Sequence, residues 1–273
     1  MAVTMADISK LRTMTGAGMM DCKNALNEAE GNFDKAIEII RKKGQAIAAK
    51  RSDRQASEGC VLSASNGEFA AVVAIKCETD FVAQNADFIA LTQSILDAAM
   101  ANKIADKEAL LALEIDGRSI ADLITDRSGI TGEKMELGFY EVVNGAATVA
   151  YIHPGNKLAT VVAFNEALDA QVAREVAMQV AAMNPIAVNR AEVPANIIAT
   201  ELEVGREKAR QEGKPEAMLD KIAEGRLNKF YKESTLLEQD FIKDAKVSVQ
   251  QYLKQVSASL TATAFKRVTL NEE

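Results

Sequence analysis

The chain has 273 residues, 48% of them hydrophobic and 26% charged, which fits a globular protein of two or three modules rather than one small domain. Its net charge of -7 disfavours a nucleic-acid binder, which needs clustered Lys and Arg to neutralise phosphates. Cys22, Cys60 and Cys77 are scattered and form no CxxC pair, which argues against a disulfide framework and a zinc site.

The opening stretch MAVTMADISK has no basic segment leading into an apolar core, so no secretory signal is read there. No apolar run approaches the roughly 18 residues needed to span a bilayer, and the expected location is cytoplasmic. Three short helices are predicted over the first fifty residues. Ile8 and Leu11 start one apolar stripe, and TGAG (15–18) makes a tight turn that glycine permits. MMDCKNALNEAE places Cys22, Ala25, Leu26 and Ala29 at helical spacing, and Gly31-Asn32 ends it. The third helix carries Phe33, Ile37, Ile40 and Ile47 on one side and a basic end that suits the helix dipole. RSDRQASEG is polar and aperiodic, as a linker would be.

From Cys60 the period becomes two. CVLSAS and EFAAVVAIK flank Asn66-Gly67, a hairpin signal of the type I′ kind. Helices follow at about 87–102, 106–113 and 118–127. KMELGFYEVV, ATVAYI and LATVVAF then predict a three-stranded meander, turning at Asn144-Gly145 and at HPGN (153–156). A helix over 168–183 follows. Sheet followed by helix has then occurred twice, which points to two related α+β halves. Residues 194–232 form two helices interrupted by Gly213-Lys214-Pro215, a connection short enough for antiparallel neighbours. VSVQQYLKQV and TATAFKRVTL predict a last helix and a last strand that completes the second sheet.

Chemistry is sparse. Neither GxxxxGK[ST] nor GxGxxG occurs, and GITGEK (129–134) lacks the spacing that cradles phosphate. His153 is the sole histidine, GxSxG is missing, and no carboxylate pair stands out. No enzyme, cofactor or metal site is expected. What remains is binding, which directs attention to CETDFVAQ (77–84), where Asp80 and Phe81 sit together at a strand exit. Read from the residues alone, Asp80 caps the following helical turn and Phe81 packs back on the sheet.

Two segments together resemble the elongation factor Ts family, the nucleotide exchange factors of the translational GTPase elongation factor Tu. LRTMTGAGMMDCKNAL (11–26) fits its amino-terminal signature, and CETDFVAQ contains the Thr-Asp-Phe-Val core of the other. Lys76 and Gln84 depart from the family, which usually has a small or apolar residue and a basic one there. The chain also ends soon after FKRVTL, without the carboxy-terminal helical module of longer members. The resemblance implies an α+β fold: a three-helix, ubiquitin-associated-like domain at 1–51, a linker at 52–59 and a core half at 60–135. The second core half would be 136–192 with 233–273, interrupted by an antiparallel helical hairpin at 193–232.

It further implies that Thr79, Asp80, Phe81 and Val82 push between GTPase helices near the magnesium and phosphate site. Arg12, Met19 and Met20 would dock on the nucleotide-binding domain. Two adjacent residues on a helix cannot both face inward, so one methionine is expected in the core and the other outside. His153, by default a turn residue, would touch another GTPase domain. The hairpin's apolar stripe would permit self-association, and no contact with nucleic acid or membrane is implied. An alternative of another class is a non-catalytic polypeptide-binding adaptor, since the three-helix start also resembles ubiquitin-associated domains.

Overall fold

The computed structural model describes residues 3–271, and these form an α+β fold. Helices α1 (Met5–Thr15), α2 (Met19–Glu28) and α3 (Phe33–Lys50) come first. A capping box starts α1: Thr4 Oγ1 accepts from Asp7 N at 3.2 Å, and Asp7 Oδ2 accepts from Thr4 N at 3.0 Å. Gly16 stops it with a φ of 71°, a left-handed conformation that costs glycine little. Asn32 starts α3 by accepting from Lys35 N at 3.0 Å. Ile8, Leu11, Cys22, Ala25, Leu26 and Ala36 fill the core between the three.

Next come β1 (Glu58–Ser65) and β2 (Phe69–Cys77). Their turn centres on Gly67-Glu68 rather than on Asn66-Gly67. Asn66 N donates to Phe69 O at 3.0 Å, and Gly67 has a φ of 99° while Asn66 does not share a positive φ. Glycine at the first central position is the type II′ pattern, which matches strand twist as the expected type I′ does. Then follow α4 (Asp80–Ala83), α5 (Ala86–Asn102), α6 (Lys107–Ala112), β3 (Glu114–Ile115), β4 (Arg118–Ser119), α7 (Ile120–Thr131) and β5 (Glu136–Asn144). Helix α7 continues to Thr131, past its expected end at 127. Gly129 does not break it, because α3 passes so close that a Cβ there would lie 2.2 Å from Gly44 Cα. The stop is Gly132, with a φ of 75°.

The expected meander does not form. β5 joins the first sheet, in the order β1-β2-β5. β6 (Ala147–Ile152), β7 (Leu158–Phe164) and β10 (Ala262–Thr269) make the second, in the order β10-β7-β6. Neither Asn144 nor Gly145 has a positive φ, so the type I′ turn is not made. The chain crosses over instead, with Gly145 N donating to Glu68 O at 3.0 Å and Ala146 N to Phe164 O at 3.1 Å. The last strand does complete the second sheet, running antiparallel to a fully buried β7.

Around that sheet lie α8 (Ala170–Met183), α9 (Ala195–Gln211), α10 (Leu219–Ser234), the short β8 (Asp240–Phe241) and β9 (Asp244–Ser248), and α11 (Val249–Val256). Phe164, Val176, Val180, Leu236, Leu253 and Leu260 belong to its core. Helices α9 and α10 lie side by side. Gly205 faces Ala223, and Arg206–Asp220 at 2.7 Å and Arg210–Glu216 at 3.0 Å link positions that advance in opposite directions. By packing, Ser63–Val72 and Val142–Thr269 form one unit, and the remaining described residues form the other.

Candidate functional site

β2 ends at Cys77, a buried thiol that donates to Thr79 O at 3.3 Å. Burial, followed by the charges of Glu133 and Glu58, pushes its pKa up to about 12, so it is structural rather than nucleophilic. Thr79, not Asp80, is the cap of α4: its Oγ1 accepts from Val82 N at 3.4 Å. Asp80 occupies the first helical position, exposed and without a side-chain partner among the described residues. Phe81 does not pack on the sheet. At 84% exposure it is the most exposed large hydrophobic side chain among the described residues. Val82 is half-buried beside it and Ala83 is buried, so the turn is anchored from behind.

The base beneath this turn is tied by a residue that sequence reading missed. Glu133 Oε2 accepts from the backbone N–H of Glu78 and of Thr79, each at 3.1 Å, and its Oε1 accepts from Thr79 Oγ1 at 2.6 Å. Glu78 is held in turn, accepting from Lys134 N at 2.7 Å and pairing with Arg51 Nη1 at 3.2 Å. Glu133 lies in GITGEK, a stretch considered above only as a phosphate loop. Its role depends on a contact across two distant segments, which no periodicity announces.

Arg12 is exposed on α1, and no hydrogen bond or ion pair engages its guanidinium among the described residues. Neither adjacent methionine enters the core, contrary to expectation: Met19 is 40% and Met20 64% exposed. The stripe of Cys22, Ala25 and Leu26 fills the space between helices, and Met19, the first residue of α2, overhangs its end. Met5 and Met14 are exposed as well, so these first helices carry a methionine-rich surface. His153 belongs to the other unit. It is exposed in the β6–β7 turn, its Nδ1 3.0 Å from Tyr151 OH and its N–H donating to Leu158 O at 2.9 Å.

Between the three helices and the pair α5 and α7 is a cavity of about 490 Å³, walled in part by Ile40, Ile47, Leu91 and Ile130. Among the described residues, no group of three or more His, Cys, Asp and Glu is arranged to hold a metal ion, and no helix is long and apolar enough to cross a membrane.

A family described as Elongation factor TS matches residues 78–272. An Elongation factor Ts from Porphyromonas gingivalis is 64% identical, with both chains covered in full. Others, from Azobacteroides pseudotrichonymphae and Bacteroides fragilis, are 57% and 49% identical, again over the whole of both chains. The chain belongs to the elongation factor Ts family. It is thereby one of a family of translation elongation factors. Lys76 and Gln84, singled out in the sequence as departures, have local settings here. The stem of Lys76 covers Gly138, where a Cβ would lie 2.5 Å from Lys76 Cδ. Gln84 is the exposed residue that ends α4.

Proposed function

We propose that this chain binds elongation factor Tu carrying GDP and promotes GDP release, leaving a nucleotide-free complex that GTP resolves. The observation that carries this is Phe81, an almost fully exposed aromatic on a helical turn whose base is tied down by hydrogen bonds. A GTPase holds its nucleotide through phosphate contacts and through a Mg²⁺ kept octahedral by few ligands. A rigid apolar wedge that shifts one bordering helix disturbs that geometry. Phe81 supplies the wedge, and its area is buried only in the complex. Asp80 brings a negative charge beside the phosphates, and Thr79 and Val82 hold the pair in place.

Arg12, Met19 and Met20 dock on the nucleotide-binding domain of the GTPase, and His153 touches another of its domains. The first three helices act as a ubiquitin-associated-like docking domain, the core as two α+β halves, and α9 with α10 as an arm able to self-associate. The work is done in the cytoplasm. No bond is made or broken, and no cofactor is needed.

Linkage sets the energetic demand. A factor that weakens nucleotide binding by about 10⁴ needs about 5.5 kcal/mol of differential affinity. Burial of one phenylalanine contributes about 1.5–3 kcal/mol, so Phe81 needs docking contacts to complete the effect. Stopped-flow release of a fluorescent GDP from elongation factor Tu, titrated with the factor, tests the proposal. Phe81→Ala should lower the plateau rate about tenfold to hundredfold and shift the half-saturating concentration only about threefold. An unchanged plateau would remove the wedge from the mechanism.

A further inference from the structure

One short segment touches both the docking helices and the wedge. Gly129 in α7 meets Gly44 in α3 backbone to backbone, and a Cβ on Gly129 would stand 2.2 Å from Gly44 Cα. Two residues earlier, Arg127 lies where a Cβ on Gly16, in the turn that follows α1, would be 3.6 Å from its Nη1. The same Arg127 donates from Nη2 to Asn85 Oδ1 at 3.3 Å and pairs with Asp87 Oδ2 at 3.1 Å, at the start of α5 just beyond the wedge.

Past the end of α7, Glu133 is fixed in place. Ser128 Oγ donates to its carbonyl oxygen, and its N–H donates to Thr131 Oγ1 at 3.3 Å. Its carboxylate receives the three hydrogen bonds from Glu78 and Thr79 that hold the base of the wedge. A cavity of about 490 Å³ also lies between the docking helices and the pair α5 and α7, so the packing of α3 on α7 around Gly44 and Gly129 is what sets their spacing.

From this geometry we infer that residues Arg127–Glu133 are a common mount that sets the distance between the docking surface and the wedge. Glu133 is the positioning residue for Phe81, and Gly129 is the positioning residue for the three docking helices. The inference rests on the exchange function proposed above. The physical reason for such a mount is reach. A partner gripped at Arg12 and Met20 can be deformed at a second place only if the wedge stands at a set distance and does not yield. Were the wedge on a flexible loop, its free energy would go into ordering the loop rather than into displacing the partner's helix.

The test is a cycle of variants in the full-length protein, read by release of fluorescent GDP from elongation factor Tu. Glu133→Ala should lower the plateau rate about tenfold and move the half-saturating concentration less than about twofold, because docking is untouched. In a Phe81→Ala background the same change should alter the plateau less than about twofold, since there is no wedge left to position. Gly129→Ala, which forces α3 away, should lower the plateau about threefold to tenfold and be equally silent in that background.

If Glu133→Ala proves too unstable to assay, Glu133→Gln keeps the volume and one acceptor oxygen and should give an intermediate loss of about threefold. Full multiplication of the Glu133 and Phe81 effects would overturn the inference, as would a Glu133→Ala or Glu133→Gln plateau equal to that of the unaltered protein. An unaltered plateau for Phe81→Ala itself would sink the exchange mechanism instead, so the two failures are told apart.

Discussion

Exposed aromatic residues are common on protein surfaces, and what sets Phe81 apart is the stiffness of the turn that bears it. Thr79 spends its N–H and its hydroxyl on Glu133 and still accepts from Val82 N, so the backbone that carries Asp80 and Phe81 has little freedom. The same economy of partners governs a charged cluster in the other unit. Glu175 accepts from Lys243 Nζ at 2.6 Å, Tyr252 OH at 2.5 Å and Gln171 Nε2 at 2.9 Å. Lys243 first, and then Tyr252, hold its carboxyl down to about 2, against an ordinary 4.5. A carboxyl whose folded pKa is depressed stabilises the protein fully above its unfolded pKa, and that stabilisation drains away as pH falls through the folded value. The urea midpoint of the protein should therefore exceed that of Glu175→Gln by a constant margin from about pH 7 to about pH 5. The margin should close as pH falls from about 4.5 towards 2. A margin that persists at the acid end would mean that lost packing, not the carboxylate's charge, separates the two proteins.

Helix pairs are set by what lies at their crossing. In α9 and α10 a Cβ on Gly205 would stand 3.0 Å from Ala223 Cα, closer than ordinary contact allows. Gly205→Leu should push these helices apart at a cost of about 1–3 kcal/mol. Hydrogen exchange gives a local readout: amides of α9 and α10 should exchange faster while those of the central strand β7 keep their protection. A uniform acceleration through both would show that the pair folds as one cooperative body with the sheet. At this scale the sequence was legible where the signal is local. Periodicity located the helices, the turn read at TGAG holds the real end of α1 at Gly16, and the Thr-Asp-Phe-Val segment stood out at its strand exit. It misled where a local signal was overridden by distant pairing. Asn144-Gly145 has the composition of a hairpin turn, yet β2 recruits β5 and the chain crosses over. The helix expected to end at 127 runs on through Gly129, where α3 needs the space a side chain would fill. Asp80 has the chemistry of a cap, but Thr79 comes one residue earlier and takes that place. Glu133 had no readable signal, because its partners are the backbone of a segment far away in the chain.

For the whole molecule, the proposed exchange function makes holding the partner and deforming it separable tasks, and linkage says how to measure each. The factor's affinity for elongation factor Tu can be titrated with GDP bound and without nucleotide, and the ratio of the two constants is the coupling that drives exchange. A contact made equally in both states changes both affinities and leaves the ratio alone. Arg12→Ala removes an exposed guanidinium, unpaired among the described residues, from the helix proposed to dock, so both affinities should fall together by a similar factor. Under the proposed wedge mechanism, Phe81→Ala removes a group whose burial differs between the two states. From a starting ratio of about 10⁴, it should shrink the ratio by about tenfold to hundredfold, the share that about 1.5–3 kcal/mol of burial commands. The remaining coupling would have to come from Asp80 and from contacts that only the deformed partner can make. If Arg12→Ala reduced the ratio as much as Phe81→Ala does, the docking helices would themselves be deforming the GTPase, and the division between grip and wedge would have to be abandoned.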